Sequence, residues 1–235
     1  MESISQTEEN YLKAIYKIAE RADKPASTNA IAAAMSTSAA SVTDMIKRLS
    51  EKDLVNYERY RGVTMTEIGQ KIATTLIRKH RLWEVFLVEK LDFSWDEVHD
   101  IAEQLEHIQS RELITRLDEY LQFPRFDPHG DPIPDEDGVF TFRKQVLLAE
   151  MSETEKGVIV GVQDHTSDFL QYLDRMKLTL GTEIKLVERY AYDDSIKILL
   201  AESKEIVISK KVSQHLFVQK TSSSDDFGGP TKTDG

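Results

Sequence analysis

The feature that most constrains the fold is a change of hydrophobic period along the chain. Up to about residue 121 apolar side chains recur at helical spacing, whereas after Lys144 they fall into short β-prone runs separated by turns. Helices first and strands later predict an α+β protein, mostly α, with the two classes segregated. The 235 residues suffice for several small domains, each with its own core.

Caps and breakers divide the N-terminal part into separate elements. Tyr11, Leu12, Ile15, Ile18 and Ala19 line one helical face over residues 7–21, and Pro25 closes that segment. Ser27 or Thr28 can cap a short second helix, NAIAAAM, and a third, AASVTDMIKRLSEKD, starts from Ser36 or Ser38. LVNYERY and VTMT flank Arg61-Gly62, where glycine supplies the turn of a hairpin. Three helices and a hairpin over residues 1–72 describe a winged helix-turn-helix domain.

Residues 67–91 read as one long helix, and 95–121 as another, opened by Ser94 as cap with Glu97 three positions on. Residues 73–140 thus form a helical domain that ends in a proline-rich connector, PRFDPHGDPIPDEDG. Long helices with apolar faces point to self-association as a dimer. VLLAEM, KGVIVGV, EIKLVER, SIKILL and KEIVIS, interrupted by the helix SDFLQYLDRM, make 141–219 a small β-barrel domain. The tail 220–235 lacks apolar content and is expected to be disordered.

Composition narrows the function. The chain has no cysteine, which excludes disulfides, thiolate metal sites and a cysteine nucleophile. Its first twenty residues are polar with apolar positions at helical spacing, so neither a secretory signal nor a membrane span is expected. Cytoplasmic location without a membrane partner follows as the expectation. A formal charge of -11 argues against a sequence-blind basic nucleic-acid binder. The charge is uneven, however: Lys+Arg against Asp+Glu is 10 to 10 in residues 1–72, 7 to 16 in 73–140 and 13 to 15 in 141–235. A neutral N-terminal domain can meet DNA through local basic groups, and a carboxylate-rich middle is where hard cations gather.

In a helix-turn-helix the second helix enters the major groove, and small or polar side chains in its first turn allow that approach. Here Ser38, Ser41 and Thr43 offer hydrogen bonds, and Ala39 and Ala40 could contact thymine methyls. Lys47 and Arg48 are placed for phosphates, and Arg59, Tyr60 and Arg61 sit at the wing, where backbone contact is expected. The same fold can serve as a protein-contact module, and Asp44 is an unfavourable charge beside phosphates.

His80 and Glu84 are four apart, so one helix face presents an imidazole and a carboxylate together. His99, Glu103 and His107 repeat that spacing on the next helix, with Glu106 beside the stripe. Imidazole and carboxylate without sulfur suit Mn(II) or Fe(II), and Zn(II) or Co(II) would also bind by the general affinity order. His129 and His215 have no comparable partners and are read as structural. A winged helix-turn-helix beside such a cluster points to a metal-responsive DNA-binding protein, not to catalysis. A metallohydrolase is the weaker alternative, since the chain has no HExxH, nucleophile elbow or phosphate loop, and a metal-insensitive winged-helix protein is the other.

TEENYLKAIYKI, RKHRLWEVFL and EVHDIAEQLEH, with GDPIP in the connector and DHTSDFLQYL in the β region, resemble the diphtheria toxin repressor family of iron- and manganese-dependent regulators over roughly residues 5–218. The resemblance implies a homodimer with two Mn(II) or Fe(II) sites per subunit that binds double-stranded operator DNA and represses genes of metal uptake. It makes the C-terminal part an SH3-like (FeoA-like) domain. It implies one site of His80, Glu84 and His99, completed by His165 or Asp168. It implies a second of Glu103, Glu106 and His107, joined by Asn10 or, since Asn10 is neutral, by neighbouring Glu9. Glu103 stands where iron-responsive members carry a cysteine, which favours the manganese-responsive branch.

Overall fold

The computed structural model describes residues 4–58, 61–200 and 204–221. Arg59 and Tyr60 of the expected wing, and the tail beyond Thr221, lie outside the described residues. The chain divides into two compact units. The first takes residues up to Asp92 together with Val98–Arg125 and Pro132–Thr141; the second takes Phe93–Glu97, Phe126–Asp131 and the chain from Phe142.

In the first unit, α1 (Gln6–Ala22) opens on a capping box in which the Ser5 side chain accepts from the Glu8 N–H and the Glu8 carboxylate accepts from the Ser5 N–H. α2 (Thr28–Ala34) and α3 (Ala39–Glu51) are capped by Ser27 and Ser38, whose side chains accept from Ala30 and Ser41 N–H groups. β1 (Val55–Glu58) and β2 (Gly62–Met65) pair antiparallel with Glu58 opposite Gly62. The φ of +98° at Gly62 is the left-handed conformation that glycine adopts without a Cβ clash. Leu12, Ile15, Ile31, Val42, Ile46 and Leu49 bury together as the core of this winged helix-turn-helix.

α4 (Glu67–Leu91) starts directly after the hairpin from a Thr66 cap and runs for 25 residues. Gly69 in its first turn lies so close to the preceding loop that a Cβ there would be 2.0 Å from the Leu54 carbonyl oxygen. The single helix expected over 95–121 is two helices, α5 (Val98–Leu105) and α6 (Arg111–Tyr120). Two local preferences explain the difference. Glu97 accepts from the Ser94 N–H, but the Ser94 hydroxyl donates to Asp96, so residues 95–97 form a turn and not a first helical turn. Ser110 then caps α6 by accepting from the Leu113 N–H, which restarts the helix. Leu82, Val85, Val98, Ala102, Ile114 and Leu117 share one core beneath α4, α5 and α6.

The second unit contains β3 (Val146–Leu147), β4 (Lys156–Val162), α7 (Ser167–Met176), β5 (Glu183–Arg189), β6 (Ile196–Leu200), β7 (Glu205–Ile208), α8 (Lys210–Ser213) and β8 (Leu216–Lys220). The six strands form an antiparallel sheet in the order β3-β8-β4-β5-β6-β7. Register shifts at Ile159/Gly161 and Leu186/Glu188 are bulges, which bend a sheet and increase its twist. VLLAEM is a strand only at Val146–Leu147, because Leu148–Glu150 turn into a short 3-10 helix. β8 is a strand that sequence patterning does not pick out, and it lies between β3 and β4. Among the described residues no helix is long and apolar enough to cross a membrane.

Candidate metal centre

α4 carries His80 and Glu84 one turn apart, and α5 carries His99 and Glu103 one turn apart, with Glu106 and His107 just past its end. The packing of α4 on α5 brings these side chains together as two adjoining groups. In the first, His80 Nε2 lies 3.0 Å from Glu84 Oε1 and 3.2 Å from His99 Nδ1, and His99 Nδ1 lies 3.5 Å from Glu84 Oε1. One donor atom from each of the three falls within 4.8 Å of the others. Donors at about 2.0–2.2 Å from a common ion stand roughly 3.0–3.6 Å apart, so two imidazoles and a carboxylate at these separations fit a divalent cation. His80 and Glu84 are buried and His99 is 43% exposed, which leaves one side of the group open.

The second group is built around Glu106, 1% exposed. Its Oε2 is 2.7 Å from His80 Nδ1 and 2.6 Å from Lys13 Nζ, and its Oε1 is 2.9 Å from the same ammonium. Glu103 Oε1 lies 3.4 Å from Lys13 Nζ and 3.6 Å from His99 Nε2, between the two groups. His107 donates from Nδ1 to Glu9 Oε2 at 2.6 Å, while its Nε2 lies 3.9 Å from Glu106 Oε1. Gln109 donates to the other Glu9 oxygen at 2.8 Å. Thus Glu9, buried on α1, is the helix-one residue that bonds to His107; Asn10 is half-buried beside it.

The charges of these groups follow from their neighbours. Each ring nitrogen of His80 faces a carboxylate, so the two hydrogen bonds require a proton on both. Burial pushes the His80 pKa down, but Glu106 and Glu84 outweigh it and raise it above the ordinary value. The 3.4 Å separation of His80 Nδ1 from Lys13 Nζ is therefore proximity of two donors, not a hydrogen bond. Burial alone would raise the Glu106 carboxyl; hydrogen bonding from His80 and the Lys13 charge hold it below the usual carboxylate range. Sequence reasoning missed Lys13. The available signal was its position four residues after Glu9, on the same face of α1.

His165 and Asp168 belong to the second unit. His165 Nε2 donates to the Val162 carbonyl at 3.3 Å and its ring stacks on His129 at 4.6 Å; Asp168 is exposed in the first turn of α7. His129, read from sequence as structural, is buried, with Nε2 2.8 Å from the Trp95 carbonyl.

On α3 the buried residues Val42, Ile46 and Leu49 face the core and leave Ala39, Ala40, Lys47 and Arg48 exposed on the opposite side. Ser38 and Ser41 hydroxyls are 2.9 Å apart, the half-buried Thr43 hydroxyl donates to the Ala39 carbonyl, and Lys47 pairs with Asp44 at 3.5 Å. Arg61, 80% exposed, pairs with Glu58.

A winged helix-turn-helix that runs directly into the long helix of a buried imidazole–carboxylate cluster defines a metal-responsive DNA-binding protein. Residues 3–63 match the iron dependent repressor N-terminal DNA binding domain, 66–135 the iron dependent repressor metal binding and dimerisation domain, and 146–220 the FeoA domain. The chain is 32% identical over 200 residues to the diphtheria toxin repressor of Corynebacterium diphtheriae, covering 80% of this chain and 88% of that one. It is 30% identical over 188 residues to the iron-dependent repressor IdeR of Mycobacterium leprae, covering 76% and 81%. A manganese-dependent transcriptional repressor solved with manganese superimposes with a TM-score of 0.78 at 31% identity, over 91% of this chain and 100% of that one. ScaR with bound Cd2+ does so with a TM-score of 0.74 at 31% identity, over 91% and 99%.

The chain belongs to the diphtheria toxin repressor family. It is a metal-dependent transcriptional repressor with DNA-binding, dimerisation and SH3-like FeoA domains, in a family of regulators and not of enzymes.

Proposed function

We propose that this chain is a cytoplasmic homodimeric repressor that takes Mn(II) or Fe(II) at two sites per subunit and then binds the operators of metal-uptake genes. The observation that carries the reading is the triad His80, Glu84 and His99, with donor atoms within 4.8 Å of one another. Residues 1–72 act as the DNA reader, 73–140 as the metal and dimer module, and 141–219 as the SH3-like domain.

In the first site His80 Nε2, Glu84 and His99 provide two nitrogens and an oxygen. In the second Glu103, Glu106 and His107 provide donors dominated by carboxylate, a hard set that favours Mn(II). An ion held by these residues would supply the positive charge that their carboxylates balance. Glu9 accepts the Nδ1 proton of His107 and so aims the other ring nitrogen at Glu106, an orienting role that carboxylates commonly play for ligating histidines. Because Glu9 lies on α1, this bond joins the DNA-reading module to the ligands, and occupancy can bias the arrangement of the two α3 helices in the dimer. Ser38, Ala39, Ala40, Ser41 and Thr43 read bases, while Lys47, Arg48, Arg59, Tyr60 and Arg61 contact backbone. For His165, Asp168 and Asn10 as ligands the support is the family resemblance alone.

The test is fluorescence anisotropy of operator DNA titrated separately with Mn(II), Fe(II) and Zn(II). Metal is expected to raise affinity at least tenfold in the wild type, and Glu103→Ala or His107→Ala to abolish the gain. Equal binding by the metal-free and loaded wild type would overturn the reading.

A further inference from the structure

We propose that Lys13 is a resident cation of the second site: in the metal-free protein its ammonium holds Glu103 and Glu106 in place of a metal ion, and it must withdraw before those oxygens can ligate. This inference rests on Glu103, Glu106 and His107 forming the second site. Its basis is geometric. Lys13 Nζ is 2.6 and 2.9 Å from the two Glu106 oxygens and 3.4 Å from Glu103 Oε1, so one point charge engages both carboxylates. The Lys13 side chain is 7% exposed and the Glu106 side chain 1%, which excludes the solvent that usually shares such a pair. A buried carboxylate without a counter-charge is strongly unfavourable, and a compact ammonium with three donors is the side chain best shaped to stand in for a small cation.

Ligation and this ion pair are mutually exclusive. Oxygens in short contact with an ammonium cannot also hold a dication without bringing two cations within a few ångströms of each other. Withdrawal is available, because the ammonium sits on a flexible four-carbon stem and can leave while α1 stays in place. It changes what ties α1 to the metal module: there are two sets of links, Lys13 to Glu106 and Glu103, and Glu9 to His107 and Gln109, and withdrawal breaks the first set while the second remains. The position of Lys13 on α1, four residues from Glu9, places both links on one helical face.

The experiment is equilibrium dialysis of full-length protein against Mn(II), with thermal unfolding of the metal-free and loaded forms. Lys13→Met, which keeps an unbranched apolar stem, is expected to bind the second equivalent at least about tenfold tighter than wild type, with first-site affinity changing by less than about threefold. Its metal-free form should melt lower than wild type and gain more in Tm from Mn(II). Lys13→Arg should remain close to wild type. If Lys13→Met does not fold without metal, Lys13→Gln, which retains a donor to Glu106 without the charge, should show the same tightening. Unchanged second-site affinity in both neutral variants overturns the inference. Glu103→Ala and His107→Ala separate the two failures. If they remove the second equivalent while the Lys13 variants bind as wild type, only the resident cation is wrong. If they leave the stoichiometry intact, the second site itself is wrong, and the inference goes with it.

Discussion

His80 is held between two carboxylates, Glu84 on one ring nitrogen and Glu106 on the other, and it belongs to both groups of the centre at once. Removing the ring would leave two buried carboxylates short of a partner. His80→Ala should therefore destabilise the metal-free protein by about 3 kcal/mol, measured by urea unfolding in the presence of a chelator; a change below about 1 kcal/mol would contradict a stabilising role for these two pairings. The residues of the first group were legible because His80 with Glu84, and His99 with Glu103, repeat a helical turn. Lys13 was not, since a lysine on an amphipathic helix ordinarily faces water, and its partner Glu106 is 93 residues away. Glu9 was legible only as the neighbour of Asn10, because one-residue choices on a helix depend on its rotation against a helix distant in sequence.

Elements were read best where their ends carry chemical signals. Ser27 and Ser38, both cap candidates in the sequence, cap α2 and α3, and α7 begins at Ser167 and ends at Met176 as its sequence pattern predicts. The break between α5 and α6 was hidden because Val98, Ala102, Leu105 and Ile108 keep helical spacing up to it. β8 was hidden because Leu216 and Val218 alone mark its buried face. Two predictions belong here. Gly69→Ala would gain about 1 kcal/mol of helix propensity but drive a methyl into the Leu54 carbonyl, so a net loss of about 2–3 kcal/mol is expected in chemical denaturation. A stabilised variant would contradict the close approach. Ser38→Ala should cost about 1 kcal/mol in the same measurement by removing the cap of α3. Restoration by Ser38→Asp would identify capping as the cause.

For the molecule as a whole, a net charge of -11 means that DNA approach depends on a few cations on a neutral domain. Replacing Lys47 and Arg61 by alanine should lower the slope of log affinity against log salt by about 0.9 for each phosphate that is no longer neutralised, read by anisotropy across salt concentrations. An unchanged slope would remove both from the interface. Chelation should act on stability as well as on binding: at free Mn(II) a hundredfold above the dissociation constant, about 2.7 kcal/mol of stability disappears when the metal is withdrawn, visible as a lower Tm.

α4 runs without interruption from Thr66, at the foot of the hairpin, through His80 and Glu84. Thirteen residues separate Glu67 from His80, roughly 20 Å of helix. Such a helix is a lever arm with the ligand cluster near its fulcrum. A tilt of about six degrees at that end moves the other by about 2 Å, a useful fraction of the tolerance when two reading heads must match successive turns of a duplex. On the proposed function, ligation that tilted α4 would thereby change the spacing of the two reading heads along the duplex.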